Sequence, residues 1–212
     1  MTELITKKDL LEKLGVYSLT PDDEGIQYKA KIKKTFMGCP ELLYALNNKK
    51  FESELFTDNG DINWDPQTHE PHGEWELYFG DNSNIRPFLY FPETQDLVMN
   101  YLCYQVNFDE LARYNDRLKY TQITFTIFVN GKNAIDKETD IPRHDLIASI
   151  IRERFNWSNI FGMQTHIISS KESLTDNNFI TKTLVFQLVD TNGLVNTPHG
   201  GKPSMNNYQL RR

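Results

Sequence analysis

The sequence predicts an α+β fold in which an antiparallel β-sheet packs against one main helix. Three observations carry this. Residues 120–129 alternate, with Ile123, Phe125, Ile127 and Val129 on one side and Gln122, Thr124 and Thr126 on the other. That is the period of a strand with one face toward a core. In residues 142–155 the period changes. Leu146, Ile147, Ile150, Ile151 and Phe155 recur at helical spacing and form an apolar stripe that needs a sheet face to cover it. Two more strand-like runs, 164–169 and 179–189, are joined by the turn-rich SKESLTDNN. Residues 120–190 therefore read as β–α–β–β, a helix layered on an antiparallel sheet.

The remaining elements follow from the N-terminus. Residues 6–14 predict a short helix: Thr6 caps it, Asp9 stands three residues later, Gly15 ends it, and Leu10, Leu11 and Leu14 share a face. Residues 18–24 read as a turn-rich connector. Between residues 32 and 47, Phe36, Met37, Leu42, Leu43 and Leu46 cluster, and Pro40 opens a helix that runs to Leu46. Residues 57–86 are rich in Asp, Asn, Gly, Pro and His with scattered aromatics, which marks a long loop insertion. Residues 87–91, flanked by prolines, predict a short edge strand. Residues 97–106 carry both helical and strand signals, with strand favoured in the second half. In the inward face of the last strand stand Ile180, Leu184, Phe186 and Leu188. The end, TNGLVNTPHGGKPSMNNYQLRR, is too poor in apolar residues to build its own core and reads as an extended C-terminal arm. The organisation expected is an N-terminal helical extension (1–33), an α+β core (34–190, with the insertion 57–86) and the arm (191–212).

Composition narrows the function. The 212 residues are 25% charged with a net charge of −6, so general gripping of nucleic-acid phosphates, which needs clustered Lys and Arg, is not expected. Cys39 and Cys103 form no C-x-x-C and have no His at zinc-finger spacing, and two buried thiols are the expectation. The first fifteen residues have no long apolar core and no small-residue cleavage site. No apolar run approaches membrane-spanning length, so a soluble protein made in a cytosol is expected.

Candidate chemistry is sparse. In DNGDINWD, alternate oxygen side chains suggest a calcium loop, but Pro66 replaces the turn glycine and His72 the final glutamate, so an Asx-rich turn is expected. His69 and His72, beside Glu70 and Glu74, lie where Pro71 and Gly73 forbid a regular helix. Asp140, His144 and Asp145 gather at the start of the main helix. A His between carboxylates is a general-base pattern, whereas a dipole-compensating Asp140 and a surface His144 explain it without chemistry. Lys182 has no acid two residues earlier, as a two-metal nuclease strand would supply. A metal-dependent hydrolase or nuclease using His69, His72 and Asp140 or His144 is thus the alternative reading. No catalytic, cofactor or metal residue is assigned, and no cofactor is expected.

The order of elements, with YTQITFTIFV, PRHDLIASIIRERF and NFITKTLVFQLVD as its clearest parts, resembles the tail-completion or tail-terminator proteins of tailed bacteriophages. The likeness covers residues 34–190. It implies a homo-oligomeric ring in the virion neck that joins portal and tail around the DNA channel, with no enzymatic residues. Partners would be neighbouring neck, portal or tail proteins and passing DNA held without sequence specificity. The insertion and the arm resemble additions in a connector of a short-tailed, crAss-like phage. In such a ring an acidic wall lets DNA slide. Interface candidates are Trp64, Trp75, Tyr78 and Phe79 in the insertion and Met205, Tyr208 and Leu210 in the arm.

Overall fold

A computed structural model describes residues 6–17, 24–46, 56–63, 65, 67, 78–80, 83–90, 99–112, 115–175 and 178–191. The architecture is α+β: four helices and a five-stranded, mostly antiparallel sheet in these residues. Helix α1 spans Lys7–Tyr17. Its start is a reciprocal cap, in which the Asp9 amide donates to Thr6 Oγ1 (3.2 Å) and the Thr6 amide to Asp9 Oδ2 (2.9 Å). Gly15 does not end it. A single helical glycine costs only about 1 kcal/mol, and the helix continues to Tyr17.

Helix α2 (Glu24–Met37) was not expected from the sequence, and the proposed division after residue 33 falls inside it. Its buried residues Tyr28, Ile32 and Phe36 recur every fourth position among lysines, a stripe one residue wide. Such a narrow stripe is easily read as polar connector. Lys119 binds Glu24 at 2.9 Å, and the Tyr28 hydroxyl donates to Asp190, so α2 belongs to the core. Helix α3 (Pro40–Leu46) starts on its proline as expected and buries Leu42, Leu43, Ala45 and Leu46.

The strands are β1 (Ile85–Arg86), β2 (Tyr101–Ala112), β3 (Asn115–Asn130), β4 (His166–Leu174) and β5 (Phe179–Thr191), in sheet order β1-β2-β3-β5-β4. Only β1 pairs in parallel. The strand expected at 87–91 is displaced to Ile85–Arg86, because Pro87 has no amide to extend the ladder. The ambiguity at 97–106 resolves as strand from Tyr101 onward: alternate residues face two different buried sides. The SKESL part of the expected turn continues β4, pairing Ser170–Leu174 against Leu184–Ile180. Its signal was faint because this is an exposed edge with polar side chains.

Helix α4 (Arg143–Phe155) lies over β3 and β5. Leu102, Tyr104 and Val106 of β2, Ile123, Phe125, Ile127 and Val129 of β3, and Leu184, Phe186 and Leu188 of β5 share the covered face. Phe125 is the hub, with ring centroids 5.8 Å from Phe36, 5.0 Å from Phe155 and 5.6 Å from Phe186. The opposite face is not left wholly to water: Tyr101, Cys103, Phe128 and Phe179 are buried there beneath Tyr90 and Met99.

His144, expected at the surface, is buried, and so is Arg143 beside it, which is 4% exposed. Its guanidinium donates to Asp136 (2.9 Å), to the Ala45 carbonyl (3.1 Å) and to the Asn133 carbonyl (3.2 Å). Asn100 donates to the adjacent Leu46 carbonyl at 2.9 Å and accepts from the Asn130 amide at 3.0 Å. Two side chains therefore satisfy carbonyls in the last described turn of α3. Burial alone would raise the Asp136 carboxyl. The Thr139 hydroxyl and amide and the Arg143 guanidinium outweigh it and hold the group below the usual carboxylate range. Asp140 is a turn residue with φ 56°, and the residue before α4 is Pro142, which offers no side-chain cap.

Arg143→Ala leaves Asp136 and the Ala45 carbonyl buried without that partner and should destabilise by about 3–5 kcal/mol. Arg154→Ala breaks the half-exposed pair with Glu41 and should cost about 1 kcal/mol or less. Urea unfolding of both variants checks the contrast.

Candidate functional site

Two kinds of site can be built from the described residues: a polar cluster between α4 and the β4–β5 hairpin, and exposed apolar surface outside the core. The cluster is positioned by sheet register. Glu172 of β4 lies opposite Lys182 of β5, and α4 crosses above them, presenting His144 and Asp145. His144 Nε2 is 3.2 Å from Glu172 Oε2 and 3.6 Å from Asp145 Oδ2. Lys182 hydrogen-bonds Asp145 and stands 3.8 Å from Glu172. His144 is buried rather than a surface residue, and its Nδ1 has no hydrogen-bond partner among the described residues. One ligand atom from each of His144, Asp145 and Glu172 falls within 4.8 Å of the others. A metal there would compete with Lys182 for the same oxygens. Without one, the network holds α4 to the hairpin.

This differs in composition from the constellation expected. Asp140 is exposed on its turn and is not part of the cluster, whereas Glu172 and Lys182 are. Lys182 does find acidic partners, from α4 and β4 rather than from its own strand. Pairing register is what brings them together, and no local motif encodes it. His69 and His72 lie outside the described residues. The thiols are buried and free; burial pushes Cys39 up to about 12 and Cys103 to about 11, so neither is a ready thiolate.

The interface candidates divide similarly. Trp64, Trp75, Met205, Tyr208 and Leu210 lie outside the described residues. Tyr78 is fully buried in this chain's own core, so it cannot serve as an exposed anchor. Phe79 is half-buried against that core, with the Lys33 ammonium 5.7 Å from its ring centroid. At Asp61 the calcium-like segment forms a turn: the Thr57 amide donates to the Asp61 carbonyl (2.8 Å), and Phe56 bridges Ile62. The Gln67 amide donates to Asp65 Oδ1 (2.7 Å), an Asx turn.

Exposed apolar surface lies elsewhere. Leu10, Leu11 and Leu14 of α1 are 51%, 55% and 54% exposed. Trp157, just past α4, is 65% exposed and stacks on His166 at 6.1 Å. No local motif marks it, since its exposure is set by where the chain turns after α4. Pro40, Glu41, Tyr44, Phe56 and Ile62 line an open pocket of about 330 Å³.

A family model matches residues 40–188, from the start of α3 almost to the end of β5. The chain belongs to the YomW family. The YomW match includes the pocket and the polar cluster and leaves α1 and α2 outside it. Comparison with curated proteins finds no match. No helix among the described residues is long and apolar enough to cross a membrane.

The Lys182 ammonium, hydrogen-bonded to Asp145, holds that carboxyl below the usual range. A depressed folded-state pKa stabilises fully above the unfolded value, about 3.9, and that stability is lost as pH falls through it toward the folded value. Wild-type unfolding free energy should therefore drop below about pH 4. In Asp145→Asn the drop should be shallower, as read from urea unfolding at successive pH values.

Proposed function

We propose that the protein is a structural subunit that assembles with copies of itself, as a ring in a phage neck between portal and tail. The observation that carries the reading is the leucine stripe of α1. Each described side chain from Lys7 to Gly15 is exposed, including three leucines on one face. A helix with an unpartnered apolar stripe gains stability by docking on another surface. The sheet-and-helix core supplies the complementary requirement, since a rigid body fixes the rotation between neighbours and head-to-tail contacts with a closing rotation give rings. Exposed Trp157 adds a second aromatic contact surface of the type enriched at interfaces. The order of elements that resembles tail-completion proteins supports the neck position, and the net charge of −6 suits a channel that does not retain DNA.

Native mass spectrometry and electron microscopy at rising protein concentration, alone and with phage portal and tail proteins, should show a closed oligomer of one defined copy number. A compact monomer under all these conditions would contradict the reading.

A further inference from the structure

The stripe on α1 and the pocket beside α3 are complementary, and we propose that α1 of one copy seats in the pocket of the next copy. This rests on the ring reading and names the contact that closes it. At 3.6 residues per turn, Leu10, Leu11 and Leu14 share a face with Lys7; Lys8 and Lys13 flank it, and Asp9 and Glu12 lie behind. The docking face is therefore apolar with a positive border. Pro40, Tyr44, Phe56 and Ile62 form the pocket's apolar lining, and exposed Asp58 and Asp61 belong to the turn that presents Ile62, while Glu41 in its wall is already paired with Arg154. The apolar faces match, and the two exposed aspartates are opposite in sign to the lysines of α1.

Two further features favour a neighbouring copy as the occupant. In this chain Leu10, Leu11 and Leu14 of α1 are about half exposed, so the stripe does not fill the chain's own pocket and is free for the pocket of a neighbour. The sheet edges offer a poor alternative joint. Strand β1 has two residues, and β4 is a polar edge with a register break that turns out Ile168. Among the described residues, side-chain docking is therefore favoured over strand addition as the way copies join.

Disulfide trapping tests this. Chains carrying Leu14→Cys and differently tagged chains carrying Ile62→Cys are mixed under the conditions that give the oligomer, then oxidised mildly. Both positions are more than half exposed, so the fold should persist, and buried Cys39 and Cys103 serve as unreactive internal controls. The linked heterodimer should exceed either homodimer at least tenfold, and a chain with both substitutions should give a ladder of linked subunits. Leu10→Asp with Leu14→Asp should weaken association at least tenfold without changing Tm. A doubly substituted chain that closes on itself as a monomer overturns the proposal. So does a heterodimer no more abundant than the homodimers in a sample whose rings are visible, and in that case the ring reading stands. Absence of any oligomer overturns both.

Discussion

One constraint organises the molecule: the apolar face of a strongly paired sheet must be covered, and the chain has three helices that do it. Strands β2, β3 and β5 line up Leu102, Tyr104, Ile123, Phe125, Ile127, Leu184 and Phe186 on one side. Burying each such side chain contributes about 1.5–3 kcal/mol, so leaving that face wet would cost more than the whole net stability of a typical domain. Helix α2 lies on β2, α4 on β3 and β5, and α3 packs against both helices. The helices are held in position by buried polar links: Arg143 and Asn100 at the end of α3, and Tyr28 with Asp190 at the other end of the layer. With these three in place, the described side chains of α1 lie outside the core.

The same constraint explains what was legible in the sequence. Strand β3 and helix α4 were clear because their periods are set by one buried and one open side. The pocket and the polar cluster were not, because each is made by pairing register and helix crossing between segments far apart in the chain. Glu172 and Lys182 become neighbours only through hairpin register, and Glu41 meets Ile62 only once the turn at Asp61 folds back. Arg143 shows the limit from the other side. A charged residue at a helix start reads as solvated unless one knows that a second helix ends against it. Tyr78 sits in a polar-looking stretch yet is core, since burial depends on where the loop lands, not on its composition.

The body and the exposed leucine stripe are thus separate elements of the chain. The segment shared with the YomW family holds the sheet, α3, α4 and the pocket, and the residues before it hold α2, which completes the body, and α1. Under the proposed ring reading, a stiff body with a docking helix outside it suits a subunit whose product is a fixed angle to its neighbour. The polar cluster fits this division, because it ties α4 to the β4–β5 hairpin and so stiffens the half of the sheet farthest from α2.

Hydrogen–deuterium exchange followed across protein concentration tests the account most directly, since protection reports local stability. The account predicts that amides of Lys7–Tyr17 exchange fast in dilute solution and become protected together with residues 40–62 as assemblies form, while those of β3, β5 and α4 stay slow throughout. Protection of α1 equal to that of the core at the lowest concentration, unchanged on assembly, would contradict it.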